Sequence, residues 1–285
     1  MNTEILITGA TGNVGSEVVK GLQNAEVPFR VGAYNVEEAQ QMLKTEVEIV
    51  KFDFLDPATY REAFTGIKRM FLVRPPALSN VQRDIAPAVW AAVGAGVEHI
   101  VFLSIQGVES NPIVPHHKIE QLILKTGVHY TFLRASFFMQ NLSTTHREEI
   151  QQRNEIALPV GESRTSFIDV RDIAAVAVRT LTEDGHTNQK YTLTGAEALN
   201  YHEVADKLSK VLDRPIHYTK PSTVKFFWEQ VKSGEKWSYA LVVTGLYTIT
   251  RFGNAKEVTD DVANILDRSP ISFDQFAQDY RDRWT

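Results

Sequence analysis

Cysteine is absent from this 285-residue chain. That excludes a disulfide scaffold, a thiolate metal site and a cysteine nucleophile, and it fits a reducing compartment. Positive charge is not in excess: 30 Lys and Arg stand against 35 Asp and Glu, a formal net charge of −5. Such a balance argues against direct nucleic-acid binding driven by phosphate neutralisation. Long apolar runs are missing too. Those present, such as residues 173–178 and 240–243, are far too short to span a bilayer. Met1-Asn-Thr-Glu4 has no basic n-region, so the expectation is a cytoplasmic chain with no signal peptide and no membrane partner. Internal repeats and low-complexity tracts are lacking, as is His-Glu-x-x-His. His116 and His117 are neighbours, which point apart on a helix, so no metal site is expected. What remains is ordinary for a globular protein, 43% hydrophobic and 23% charged, with ample material for a core.

The strongest positive signal lies at the start, in Glu4-Ile-Leu-Ile-Thr-Gly-Ala-Thr-Gly-Asn-Val-Gly15. Ile5, Leu6 and Ile7 read as a buried parallel strand. Gly9, Gly12 and Gly15 punctuate a turn, and Val18, Val19 and Leu22 then recur at helical spacing. Strand, glycine turn and helix form the context of a dinucleotide-binding fingerprint. Gly9 permits the tight turn, Gly12 leaves room for a pyrophosphate, and Gly15 lets the helix pack close to the strand. The helix N-terminus offers free N–H groups and partial positive charge to the phosphates. Gly9, Thr11, Gly12, Asn13, Val14 and Gly15 are therefore the first candidate cofactor-binding set. The spacing is G-x-x-G-x-x-G rather than G-x-G-x-x-G, and the plainer alternative is a glycine turn that holds no ligand.

The alternation continues. Strands are expected at 29–33, 47–52, 69–73, 99–104 and 129–133, with helices at 36–44, 56–64, 80–95 and 118–125 between them. Asp56-Pro57 has the form of a cap followed by proline at the first helical position. Six strands with intervening helices imply an α/β fold with a doubly wound parallel sheet of Rossmann type. After Arg134 the rhythm breaks. Residues 135–170 read as loop-rich, 173–181 as an apolar helix, and 190–195 as one more strand. Asn200-Tyr-His-Glu203 and Ser272-Phe-Asp-Gln275 have capping-box form, and 220–285 read as mostly helical. The expected organisation is a cofactor-binding domain over 1–155, with 165–195 returning to it. A smaller, mostly helical C-terminal substrate lobe covers 196–285, with 135–164 contributing.

Several stretches together resemble the extended and atypical short-chain dehydrogenase/reductases. They are Thr8-Gly-Ala-Thr-Gly-Asn-Val-Gly15, Asp53 with Asp56-Pro57, and Phe167-Ile-Asp-Val-Arg-Asp-Ile-Ala174. Phe71-Leu-Val-Arg-Pro-Pro76, Phe132-Leu-Arg-Ala-Ser-Phe-Phe-Met-Gln-Asn141, Tyr191-Thr-Leu-Thr-Gly195 and Ser272-Phe-Asp-Gln-Phe-Ala-Gln-Asp-Tyr280 are similar to the NmrA-like branch in particular. That branch includes quinone reductases, triphenylmethane-dye reductases and redox sensors that bind the cofactor without turnover. The resemblance implies that Asp53 and Phe54 lie near the adenine and that Val73, Arg74 and Pro75 pass by the ribose and nicotinamide. It places a carbonyl-polarising hydroxyl at Ser104 and a nicotinamide pocket at Phe137, Phe138 and Asn141. Each has a plainer alternative: a loop carboxylate for Asp53, a surface ion pair for Arg74, core packing for the two phenylalanines.

Catalytic relatives carry Tyr-x-x-x-Lys with Glu often four residues on. Counting back from Glu120 puts His116 at the lysine position and Pro112 at the tyrosine position; counting from Lys118 puts Val114 there. No tyrosine results, so reduction of a simple ketone, whose alkoxide needs a proton as it forms, is not expected. A quinone or cationic dye needs little general acid, only alignment. His116, with an ordinary pKa near 6.5, is either a proton donor to a quinolate or a helix-start residue with no role. Relatives that bind NADPH commonly have Arg at the end of strand two, where this chain has Tyr34 followed by Asn35. NADH against NADPH stays open. The leading expectation is an NAD(P)H-dependent reductase of quinone-like or aromatic small-molecule acceptors. The alternative is a non-catalytic NAD(P)-binding sensor that signals through a protein partner. A sugar-nucleotide epimerase is a third reading, which lacks an evident base. The sequence leaves the oligomeric state open.

Overall fold

The computed structural model describes residues 4–44, 46–234, 237–250 and 255–285. Met1 to Thr3, and positions 235–236 and 251–254 of the helical stretch expected over 220–285, lie outside the described residues. The strands are β1 (Ile5–Thr8), β2 (Arg30–Ala33), β3 (Glu48–Lys51), β4 (Arg69–Leu72), β5 (His99–Ile105), β6 (His129–Ala135), β7 (Glu155–Ile156), β8 (Gln189–Leu193) and β9 (His217–Tyr218). The helices are α1 (Asn13–Asn24), α2 (Val36–Leu43), α3 (Tyr60–Phe64), α4 (Val81–Asp84), α5 (Ala86–Gly94), α6 (Pro115–Thr126) and α7 (Arg147–Arg153). They continue with α8 (Val170–Thr182), α9 (Tyr201–Leu212), α10 (Thr223–Lys232), α11 (Trp237–Thr250), α12 (Asp261–Leu266) and α13 (Phe273–Asp279).

The chain divides into two compact units. The first comprises 1–135, 170–193 and 264–267, and the second 136–169, 194–263 and 268–285. The first holds a seven-stranded parallel sheet in the order β3-β2-β1-β4-β5-β6-β8. This is a Rossmann-like, doubly wound α/β architecture, with the order reversing between β1 and β4. Buried on both faces, its central strands read as unbroken apolar runs rather than alternating ones. Leu6, Met70, Leu72, Ile100, Phe102 and Phe132 still divide by parity: they join one core with side chains of α3, α5 and α6. Elsewhere on the sheet α1 and α8 pack together.

The local differences from expectation have physical causes. The helix expected over 80–95 is two helices parted at Ile85, because Pro87 has no N–H to return to the carbonyl of Arg83. The helix expected from Lys118 begins at Pro115, whose fixed φ suits the first helical position. Asp56 does cap a turn, accepting from the Ala58 N–H at 3.0 Å, but the turn is a 3₁₀ one that runs on into α3. Within the stretch read as loop-rich stands α7, which buries only Ile150 and so shows no apolar period.

The second unit is mostly helical, with β7 and β9 forming a two-stranded parallel ladder. Asn200 and Glu203 make the full reciprocal capping box of α9. Ser272 caps α13, accepting from the Gln275 N–H at 3.1 Å, while the Gln275 side chain turns to Asp279 instead. Its core gathers Phe167, Tyr201, Phe273, Phe276 and Trp284. The Trp284 indole donates to the Leu142 carbonyl at 2.9 Å. Among the described residues, no helix is long and apolar enough to cross a membrane.

Candidate functional site

The turn from β1 into α1 is shaped by three glycines with three different tasks. Gly9 has φ +64°, a left-handed backbone, and a Cβ there would lie 2.8 Å from the Val73 Cβ. Its carbonyl accepts from the Gly12 N–H at 3.0 Å. Gly15 is held even more tightly, since a Cβ would come within 2.1 Å of the Gly9 oxygen. The close approach is thus between helix and turn rather than helix and strand. At Gly12 an added Cβ would meet only the Gly9 oxygen, at 3.4 Å. The protein itself leaves that space empty. Gly12 also caps α1 without any side-chain hydrogen bond, so the first amides of the helix are left for a ligand.

Beside this turn lies a cavity of about 630 Å³. Its wall is made by the turn and by the residues that follow β2, β3 and β4: Gly9, Thr11, Gly12, Tyr34, Asn35, Asp53, Phe54, Val73, Arg74 and Pro75 are all on it. Every sequence-predicted cofactor residue is there except Asn13, Val14 and Gly15, which belong to α1, with Val14 buried. The position, beyond the carboxyl ends of the strands at the reversal of strand order, is where doubly wound sheets bind ligands. The volume suits a small-molecule or cofactor site.

Several wall residues are fixed by local bonds. Thr8 Oγ1 donates to the Phe71 carbonyl at 3.0 Å and accepts from the Val73 N–H at 2.9 Å, locking the turn to the end of β4. Asp53 Oδ1 accepts from the Leu55 N–H at 2.9 Å, and the Asp53 N–H donates to Thr59 Oγ1 at 3.1 Å. Tyr60 donates to the Phe54 carbonyl at 2.5 Å. Asn35 caps α2, accepting from the Glu38 N–H at 3.2 Å. Tyr34 is 70% exposed, and the Lys51 ammonium lies 4.2 Å from its ring centroid while also donating to its carbonyl. Lys51 went unnoticed in the sequence. Only the β2–β3 register, which pairs Ala33 with Lys51, brings it beside Tyr34.

Arg74 is part-buried, and its Nη1 donates to the carbonyls of Pro75, Pro76 and Leu78 at 3.0, 3.0 and 3.1 Å. Its Nε is buried with no hydrogen-bond partner. Burial lowers its pKa from the ordinary arginine value. Among the described residues it has no ion-pair partner, which sets aside the surface-ion-pair reading. His116 stacks on Phe102, ring centroids 6.0 Å apart. Burial, and then the nearby charge of Arg74, push its pKa down to about 3. That corrects the expectation of an ordinary histidine: its ring is neutral across the physiological range. Ser104 is corrected as well. It is 1% exposed, and its hydroxyl donates to Glu120 Oε1 at 2.7 Å. Glu120 in turn receives Arg134 through Nε at 3.1 Å and Nη2 at 2.7 Å. In this arrangement the Ser104 hydroxyl is directed at Glu120 of α6, which also holds Arg134 of β6.

A model of the NmrA-like family matches residues 1–267. The chain belongs to the NmrA-like family. It is 34% identical over 280 residues to the NAD(P)H azoreductase of Xenophilus azovorans, covering 96% of each chain. Among solved structures it resembles Citrobacter sp. triphenylmethane reductase complexed with NADP(H), at 25% identity and a TM-score of 0.86. That match covers 97% of this chain and 99% of the other. The fold is shared with NADPH-dependent quinone oxidoreductase from Escherichia coli, at 21% identity and a TM-score of 0.88, over 96% of this chain and 99% of that one.

The second unit of this NmrA-like protein carries the remaining predicted residues. The Phe137 ring stacks on Tyr247 at 6.4 Å, and its carbonyl accepts from the Ile168 N–H at 2.9 Å. Phe138 pairs with Ile168 in an isolated parallel bridge, and its carbonyl accepts from the Asn141 N–H at 3.2 Å. His146 shares a 2.8 Å hydrogen bond with the Tyr247 hydroxyl, a contact that no spacing in the sequence announces. A smaller cavity of about 310 Å³ in this unit is lined by Met139, Phe167, Glu197, Leu199 and Phe273 among others. Among the described residues, no group of three His, Asp or Glu side chains could hold a metal.

Proposed function

We propose that this NAD(P)H-dependent oxidoreductase of the NmrA-like family passes hydride to a quinone-like or other aromatic acceptor without a Tyr-x-x-x-Lys pair. The observation that carries the reading is the uncapped glycine turn opening on the cavity, with Gly12 empty where a phosphate needs room. The residues present fit a nicotinamide dinucleotide. The Gly9–Gly12 turn and the first α1 amides would hold its pyrophosphate. Asp53 and Phe54 would lie by the adenine, Tyr34 and Asn35 by the adenosine ribose, and Val73, Arg74 and Pro75 by the remainder. When bound, the cofactor supplies the hydride.

The chain's own residues supply alignment more than acid. Pro112 and His116 stand where the tyrosine and lysine of catalytic relatives are expected. His116, neutral at pH 7, offers at most an N–H hydrogen bond. Acceptors whose reduced form is delocalised suit such a site, whereas an aliphatic alkoxide does not. The likeness to an azoreductase and a triphenylmethane reductase supports aromatic acceptors. The test follows NADH and NADPH oxidation with a quinone, a cationic triphenylmethane dye and an aliphatic ketone. Quinone and dye should turn over and the ketone should not. His116→Ala should lower quinone turnover by less than about tenfold, the worth of one neutral hydrogen bond and well short of a positioned general acid. Efficient ketone reduction would sink the reading. Silence with every acceptor, beside tight cofactor binding, would turn it into the sensor.

A further inference from the structure

Among the described residues that line the cavity, Arg74 is the one cation, and the other charged groups are Glu38 and Asp53. One of its terminal nitrogens is spent on the carbonyls of Pro75, Pro76 and Leu78, which pins that loop and fixes the direction of the fork. The rest of the fork is unspent. Nε is shut away from water without an acceptor, and among the described residues no carboxylate neutralises the charge. A guanidinium does not give up its proton in proteins, so it cannot relieve this burial by becoming neutral. A permanently charged, part-buried group with no carboxylate beside it is costly unless something anionic arrives at its second terminal nitrogen, Nη2, which is not closed off as Nε is.

We propose that Arg74 receives the negative charge that builds on the electron acceptor, so that the site favours acceptors that become anionic over acceptors that begin cationic. The inference rests on the hydride-transfer reading above. The other polar groups expected near the chemistry are unsuited to the task. Ser104 gives its proton to Glu120, and the His116 ring carries no charge at neutral pH. With a quinone, the C4–H bond of the dihydronicotinamide breaks and its hydride bonds to the quinone. The displaced electron pair would collect on a quinone oxygen, which the Arg74 charge would stabilise. The hydroquinone monoanion then takes its proton from water. Stabilisation by a fixed charge needs no proton transfer in the transition state, which suits a site without the tyrosine. With a cationic dye, hydride transfer removes positive charge from the acceptor. Arg74 then repels the reactant and gains nothing in the product.

The test uses the full chain with Arg74→Gln and Arg74→Lys, each checked for thermal stability. The first readout is independent of turnover. Binding of 2-hydroxy-1,4-naphthoquinone, ionised at neutral pH, to the NADP⁺-saturated protein is followed by intrinsic fluorescence. Arg74→Gln should weaken it by about 10- to 100-fold, the worth of a hydrogen bond to a charged group, and Arg74→Lys should recover part of the loss. The second readout compares a neutral quinone with a cationic triphenylmethane dye. Arg74→Gln should lower quinone kcat by a similar factor and dye kcat by clearly less. Equal losses on both acceptors would overturn the proposal, as would a loss of NADPH affinity matching that of the anionic probe. A wild type that binds the probe through Arg74 yet reduces neither acceptor would refute the hydride-transfer reading and leave the anion site standing.

Discussion

Where β1 passes into α1 the working groups are backbone amides, and at the ends of β5 and β6 they are side chains that hold one another. In the first region, glycine spacing alone sets the geometry: Gly9 turns left-handed, Gly15 admits the Gly9 carbonyl, and Gly12 leaves a vacancy. In the second, Ser104, Glu120 and Arg134 come from β5, α6 and β6 and satisfy each other. A residue there has a role only through partners distant in sequence. The same hydroxyl is a candidate catalyst on paper and a structural strut in space.

The comparison breaks most severely at Gly15. Gly15→Ala should destabilise the fold by about 3 kcal/mol or more, because its methyl has no room beside the Gly9 oxygen. Gly12→Val, three residues away, should fold nearly as well as wild type and lose cofactor affinity by about 100-fold, or ~2.7 kcal/mol. Thermal melting and cofactor fluorescence separate the two. If both variants merely lose affinity, the turn is looser than its contacts imply.

Ser104→Ala sharpens the other side. Losing a buried hydrogen bond to a carboxylate should cost about 1.5–3 kcal/mol in chemical denaturation, with kcat for quinone changed by less than about threefold. A variant of undiminished stability but failing turnover would restore Ser104 to the chemistry. The smallest effect expected is that of pH at the other end of β5. His99 donates from Nε2 to Thr131 Oγ1 at 2.8 Å, since the Thr131 proton goes to the His186 carbonyl. Burial, then Arg69, His129 and His186, bring its pKa down to about 4. The unfolded chain, with a histidine pKa near 6.5, binds more protons between those values, so stability is full above pH 6.5 and falls as pH drops towards 4. Between pH 7 and 5 the loss from His99 should be about 1–2 kcal/mol, and His99→Gln should flatten the slope. His116 loses stability in the same direction, over a window that extends to about pH 3. An unchanged slope in His99→Gln would remove His99 from that account.

Much of this fold is legible because parallel strands buried on both faces leave apolar runs such as Ile5-Leu-Ile7, and because caps such as Asn200 with Glu203 are local. The glycine turn is legible for the same reason, as everything its geometry needs lies within a few residues. What stays hidden depends on register and burial. Lys51 reaches Tyr34 only once β2 and β3 are aligned. The neutral state of His116 comes from Phe102 and Arg74, neither of them its neighbour in sequence. α7 leaves no apolar period because a single one of its side chains is buried.

The late arrival of β8 has a consequence in time. A ribosome delivers β6 complete at Ala135, while the strand that pairs with it begins at Gln189, with residues 136–169 of the other unit made in between. Until then β6 presents a row of bare main-chain donors and acceptors, the kind of border that recruits a second nascent chain. Anyone excising residues 1–135 as a tool would meet the same hazard. A fragment ending at Ala135 keeps the whole glycine turn and every residue lining its cavity, yet is born with an adhesive flank.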